Sequence, residues 1–245
     1  MNNNYIKSYV DVLGNTVDRK VLDRITMVFF AGLKFSFDRL LALLGLIILM
    51  PLILVISVLI KTDSKGPVLF KQVRTGKDGK NITVYKFRSM AVDNDVRDFS
   101  KADERTKVGA FLRKSSLDEI PQLISILKGD MSFIGPRPWI TDYYDNMTDV
   151  QRHRSDVRPG LTGLAQVYGR NSISIFDKIS YDLEYIKKYS LKQDVKIIFL
   201  TIKTVLTPEI ADAGKAVISS ELEDLKNQSK NSYKTEGVSL SWKKI

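Results

Sequence analysis

The chain has 245 residues, with 38 Lys and Arg against 28 Asp and Glu, one His and no Cys. That length suits one domain with appendages, and the missing Cys excludes disulfide scaffolds and Cys-bearing zinc sites. A net charge of +10 suits anionic partners such as phosphorylated small molecules, anionic lipid or nucleic acid.

In chain order, residues 1–34 read as a polar leader. Short apolar groups at Val21, Leu22, Ile25 and Met27 to Phe30 suggest an amphipathic helix lying at an interface. Leu40 to Ile60 then runs 21 residues without a charge. A helix of that length reaches roughly 30 Å, enough to cross a bilayer core. Pro51 sits mid-run, and its missing N–H and ring clash predict a kink there. Basic residues lie on both flanks (Lys34, Arg39, Lys61, Lys65), so the positive-inside rule gives no crossing direction. A tilted span and a re-entrant hairpin both remain open at this point.

Beyond Lys61 the chain turns polar. Ser64 to Pro67 is a turn leading into a strand at Val68–Phe70, and Gly76 and Gly79 bracket a hairpin turn before Ile82–Phe87. The sequence GKDGKN lacks the spacing and the Ser or Thr of a phosphate-binding P-loop. Ala91 to Glu104 reads as a charged loop or short helix, and Thr141 to Arg154 as a polar helix or loop. His153 lies in the polar run QRHRSD and reads as a surface residue, which removes Ser-His-Asp catalysis. VRPGLTG and GRN, the latter carrying Arg170, are turns. Ile179 to Leu206 repeats apolar residues at helical spacing among five lysines, with a break near Ser190 or Gln193. Such a basic amphipathic helix fits anionic headgroups or the surface of a soluble core. Residues 207–245 form a polar tail without pattern.

Most of the chemistry lies in LRKSSLDEIPQLISILKGDMSFIGPRP, residues 112–138. Asp118 and Glu119 are adjacent, with Arg113, Lys114, Lys128 and Arg137 around them in sequence. Two carboxylates among cations point to chemistry on a phosphate: one carboxylate attacks phosphorus, the other holds a divalent metal, and the cations offset charge on the transferring group. An isolated Asp-Glu pair near a helix start more often serves the helix dipole. Here its surroundings decide otherwise.

SLDEIPQL, LKGDMSFIGPRP, YKFRSM, VRPGLTGLAQVYGRN and GPVLFKQVRTGKDGK together resemble, in order and spacing, the bacterial sugar transferases, the monotopic polyprenyl-phosphate phosphoglycosyl transferases. The resemblance covers roughly Phe35 to Leu206 and is to the compact form of the family. It implies an α+β, mainly helical fold: a leader over 1–34, a membrane re-entrant helix over 35–61 kinked at Pro51, a cytoplasmic catalytic domain over 62–206 with interfacial amphipathic helices and a small β element, and a tail over 207–245. It implies transfer of a phosphosugar from a UDP-sugar to a polyprenyl phosphate at the inner membrane of a bacterium, with Mg2+, to start exopolysaccharide, capsule, O-antigen or glycoprotein glycan assembly. Asp118 matches the family's nucleophile and Glu119 the acidic partner associated with magnesium, so both carboxylates are metal candidates. Arg137, Arg113, Lys86 and Arg88 match positions expected near phosphates, and Arg170 joins them as a candidate cation. Asp182, in the KxxxDxxY pattern from Lys178 to Tyr185, is a further substrate-site candidate. Phe176, where a tryptophan is common, and Trp139 depart from the family pattern and bear on sugar identity.

Two other classes compete. A membrane-tethered nucleic-acid-binding protein would account for the charge, but neither recognition aromatics nor a helix-turn-helix stands out, so nucleic acid is not an expected partner. A non-catalytic scaffold of a polysaccharide assembly complex has no need of Asp118 or Arg137. Partners on the preferred reading are the nucleotide sugar, the lipid acceptor, membrane lipid and, left open, a second copy of the chain.

Overall fold

The computed structural model describes residues 19–91, 105–169, 173–206 and 215–232. Helix α1 (Arg19–Ile48) runs without a break from the described part of the leader through the first half of the uncharged run, so no boundary marks residue 34. Leu49 interrupts it, and α2 (Met50–Asp63) leaves at 63°. The bend thus falls two residues before Pro51, which occupies the first turn of α2. Physically the shift is expected: proline is accommodated where helix N–H groups are unpaired anyway, so the break settles on its N-terminal side. Among the described residues no single helix is long and apolar enough to cross a membrane, although the bent pair together passes by length and composition.

The hairpin read from the sequence is present. Strand β1 (Leu69–Thr75) pairs antiparallel with β2 (Asn81–Phe87), in a register from Leu69↔Phe87 to Thr75↔Asn81. Helix α3 (Lys107–Lys114), capped by Thr106 Oγ1, leads into a 3-10 turn at Leu117–Glu119, followed by α4 (Gln122–Lys128). Gly129 ends α4 in the left-handed region, at φ 87°, where it is free of Cβ strain.

A second, parallel pair was not anticipated: β3 (Ser132–Ile134) lies beside β4 (Gly160–Thr162). Between them come the short helices α5 (Thr141–Asp145) and α6 (Asp149–Arg152). Helices α7 (Leu164–Tyr168), α8 (Ile175–Lys187) and α9 (Leu191–Leu206) follow, so the expected break falls at Lys188–Ser190. The tail is a further correction. Helix α10 (Lys215–Ser232) forms within it, and Leu225 is fully buried beside Tyr143, Ile175 and Ile179. Few apolar positions serve that contact, so periodicity alone did not show it.

Helix α1 is part of the protein's core. Ala42 is buried with Val84, Leu123, Ile126 and Met131, and Leu46 and Leu49 pack against this group. Polar contacts fasten the helix as well. Ser132 Oγ donates to Asp38 at 2.6 Å, Lys34 pairs with Asp194, and Tyr185 Oη donates to Asp194 at 2.7 Å. The other face is bare: Val28, Phe29, Phe37, Ile47 and Ile48 on α1, and Leu54, Val55 and Val58 on α2, are exposed by 57–73%.

Candidate active site

The two carboxylates are delivered by a strained turn. Ser116, just ahead of Leu117–Glu119, takes φ 57° and ψ 14°, a left-handed conformation that costs a non-glycine residue about 1 kcal/mol. Asp118 is 7% exposed. Glu119 is clamped: its Oε1 accepts from Lys86 Nζ at 2.9 Å and from Arg137 Nη2 at 2.8 Å. Among the described residues Asp118 pairs only with Lys86, at 3.8 Å. Three elements therefore meet here: β2 brings Lys86, the turn brings the carboxylates, and the loop after β3 brings Arg137.

That loop is held by its partner motif. Gly135 N–H donates to Thr162 O and Gly160 N–H to Pro136 O, both at 2.9 Å, so GPRP and RPGLTG are stitched backbone to backbone. A Cβ on Gly160 would sit 2.1 Å from Gly135 N, which leaves glycine as the only fit. Behind the loop Arg154 Nη2 donates to the Arg137 carbonyl at 2.8 Å. Arg154 itself is buried, paired with Asp182 at 2.7 Å and lying 3.7 Å over the Trp139 ring.

The electrostatics separate the two acids. Burial raises the Asp118 pKa above its usual value, with Lys86 only partly opposing. Burial would raise Glu119 too, but the charges and hydrogen bonds of Arg137 and Lys86 override it and hold that carboxyl well below the usual range. Glu119 in turn raises Arg137. Glu119 is thus a fixed anion that positions two cations, while Asp118, among the described residues, makes only the long contact with Lys86.

The other predicted residues scatter. Arg113 is half-buried, donates from Nε to Ser89 Oγ at 3.0 Å, and its charge acts on Asp118, so it borders the site. Arg88 does not join it. Strand β2 ends at Phe87, and the buried Arg88 turns to Ser64 O and Lys65 O at 2.7 and 2.9 Å, bracing the end of α2. Asp182, 1% exposed, is Arg154's partner behind the Arg137 loop rather than a wall of the site. Arg170 lies outside the described residues. His153, expected at the surface, is half-buried with Nδ1 2.8 Å from Asp156. Sequence reasoning missed Arg154, whose acid partner is 28 residues away. It also passed over Arg74, which lines a groove with Lys86 and Arg137; alternation along β1 opposite Lys86 was the available signal.

No group of three or more acidic, His or Cys side chains able to hold a metal occurs among the described residues. The donor set is the Asp118–Glu119 pair, two hard carboxylates. That suits a cation which takes one or two carboxylates and completes its shell with water and phosphate.

Comparison with known proteins agrees with this arrangement. Residues 29–208 match the family described as bacterial sugar transferase. The chain is 47% identical over 193 residues to the UDP-glucose:undecaprenyl-phosphate glucose-1-phosphate transferase of Klebsiella pneumoniae, covering 74% of this chain and 41% of that protein. It is 42% identical to the sugar transferase EpsL of Bacillus subtilis (strain 168), covering 72% of this chain and 89% of EpsL. It is also 41% identical to the UDP-N-acetylgalactosamine-undecaprenyl-phosphate N-acetylgalactosaminephosphotransferase of Aeromonas hydrophila, over 73% of this chain and 44% of that protein. The chain thus spans less than half the length of the first and third of these relatives and most of the second. With its matched region covering the carboxylates, the cations and all but the first ten residues of the bent helix pair, the chain belongs to the bacterial sugar transferase family.

Proposed function

We propose that this protein transfers a phosphosugar from a UDP-sugar to a polyprenyl phosphate, through a covalent intermediate on Asp118. The observation that carries the reading is the contrast between the two acids: Glu119 Oε1 is held by both Lys86 and Arg137, whereas buried Asp118 beside it makes, among the described residues, only a 3.8 Å contact with Lys86. In the first step an Asp118 oxygen attacks the sugar-linked phosphorus. A P–O bond forms to the carboxylate, the bond to the bridging oxygen breaks, and that oxygen leaves with the electron pair as part of UMP. In the second step an oxygen of the lipid phosphate attacks the same phosphorus and Asp118 leaves. Lys86 and Arg137 offset the charge of a diphosphate that otherwise repels an anionic nucleophile.

A magnesium ion would suit the carboxylate pair, with Asp118 and the second carboxylate oxygen of Glu119 as the protein groups that would hold it, and it would supply further charge neutralisation on the phosphates. Chelation is expected to stop UMP release and added Mg2+ to restore it; release that continues in excess chelator contradicts the metal assignment.

The bent pair α1–α2 is read as re-entrant in the bilayer, with both ends on the cytoplasmic side where the nucleotide donor is found. Its exposed apolar face supports this. Helix α9 lies at the interface on the same reading: Leu191, Val195, Ile198, Phe199 and Ile202 are exposed along with Lys192 and Lys196. The test of function is UMP release from UDP-sugars, with and without polyprenyl phosphate, by wild type and Asp118→Asn. Turnover requiring Asp118 and both substrates supports the reading; equal turnover by Asp118→Asn sinks the nucleophile. A scaffold would release no UMP from any donor.

A further inference from the structure

Among the described residues, Arg74 forms no ion pair with an acid although it lies beside Lys86 and Arg137. Arg74, near the end of β1, is half-buried, and its Nε donates to Gln72 Oε1 at 3.0 Å. Gln72 lies on the same face of the same strand, and among the described residues no carboxylate pairs with Arg74. Burial and the neighbouring Arg137 charge push its pKa down to about 10, so the fold bears a cost for keeping it charged there. A guanidinium held between a neutral amide and another cation lacks the partner that normally offsets its desolvation. The groove beside it is lined by Gln72, Val84, Gln122 and the two cations Lys86 and Arg137 that hold Glu119.

Charge counting points the same way. Glu119 already satisfies Lys86 and Arg137, which leaves the Arg74 charge for a ligand. The donor brings about two negative charges, one on each phosphate, and only the sugar-linked phosphate lies against Asp118 during attack. The second phosphate is the one that departs.

We propose that Arg74, oriented by Gln72, forms a second phosphate subsite that holds the leaving nucleoside monophosphate during phosphosugar transfer. The inference rests on the transfer reaction proposed above. As the bridging P–O bond breaks, the departing oxygen takes the electron pair and the charge on the nucleotide phosphate grows. A fixed guanidinium there stabilises the developing anion without needing a proton. A lipid phosphate offers the same chemistry, but the position favours the nucleotide. Leu69 packs with Ile56 and Ile60 of α2, and Arg74 lies five residues further on, about 17 Å along the strand. It therefore stands away from the contact between β1 and α2, and the two half-reactions below separate a nucleotide phosphate from a lipid one.

The test uses the full chain with Mg2+ and separates the two half-reactions. Adduct formation is followed by intact mass with a UDP-sugar that labels the wild type, UMP affinity by calorimetry, and the second step by adding polyprenyl phosphate to preformed adduct. Arg74→Gln should weaken UMP binding at least about tenfold and slow adduct formation by about 100- to 1,000-fold, the range for loss of one charge-stabilising donor. It should leave the second step within about twofold of wild type. Gln72→Glu, which gives Arg74 a carboxylate partner and keeps the buried guanidinium compensated, should show the same pattern in a stably folded protein. Unchanged UMP affinity and adduct rate in Gln72→Glu and in folded Arg74→Gln overturn the subsite. A defect confined to the second step overturns it in favour of the lipid phosphate. Failure of the wild type to form adduct with any donor overturns the covalent step on which this inference rests, and the inference with it.

Discussion

Asp118 and Glu119 are neighbours in sequence with opposite electrostatic situations. Asp118 is buried with its pKa raised, so above that pKa its ionised form opposes folding. Near neutral pH, Asp118→Asn should therefore stabilise the protein while ending catalysis; a gain of ~1 kcal/mol corresponds to about 2–4 °C in Tm for a chain of this size. Glu119 behaves in reverse. Its pKa is lowered, so its contribution is fully present above the unfolded carboxyl value of 4.5 and is lost as pH falls through the folded one. Glu119→Gln leaves Lys86 and Arg137 without their anion and should lower Tm; differential scanning calorimetry of the two variants at neutral pH reads both signs. The same asymmetry sets the pH dependence. In the metal-free protein, Asp118 should take up its proton at a pKa above the usual Asp value of 3.8 while Glu119 stays ionised, as read by carboxyl NMR. An Asp118 titration that stays flat down to the usual Asp value contradicts the assignment.

Among the elements, the Arg137 loop depends on a buried pair it does not contain. Asp182→Asn leaves Arg154 charged and unpaired behind that loop, and breaking such a pair typically costs about 3–5 kcal/mol. Arg154→Lys keeps the charge but loses the fork that reaches Asp182 and the Arg137 carbonyl together. Both variants should unfold earlier in denaturant, and the lysine variant should also form adduct more slowly. This pair shows where the sequence stops being informative. The hairpin, the helices and the carboxylates were legible because periodicity, Gly-bracketed turns and local motifs encode them. Strands β3 and β4, three residues each, are too short to alternate, and only the backbone contact of Gly135 and Gly160 reveals why their motifs occur together. Arg88 and Asp182 were placed with the substrate because they lie in the right motifs. Motif membership does not give the direction of a side chain, and β2 ends one residue before Arg88. Helix α10 escaped because a helix packing through a few residues such as Leu225 leaves mostly polar positions to read.

For the whole molecule, the bare faces of α1, α2 and α9 and the fastening of α1 into the core make one argument: what seats the helix pair also seats the site. Val84 and Leu123, which pack with Ala42 of α1, belong to the strand and helix that flank the carboxylate turn. Phe199 and Ile202 are 69% and 52% exposed, so Phe199→Asp with Ile202→Asp removes little packing. On the interfacial reading of α9 the double variant should float with anionic vesicles several-fold less well than wild type at an unchanged Tm. Equal flotation removes α9 from the membrane contact.

The central claim is the covalent step on Asp118. The most direct measurement is the intact mass of the purified protein after incubation with Mg2+ and a panel of UDP-sugars, without lipid. The account predicts a phosphosugar-sized increase with at least one donor, absent in Asp118→Asn and discharged when polyprenyl phosphate is added. Turnover that requires donor and lipid together, with no adduct ever formed, would contradict it and replace the two-step transfer with a direct one.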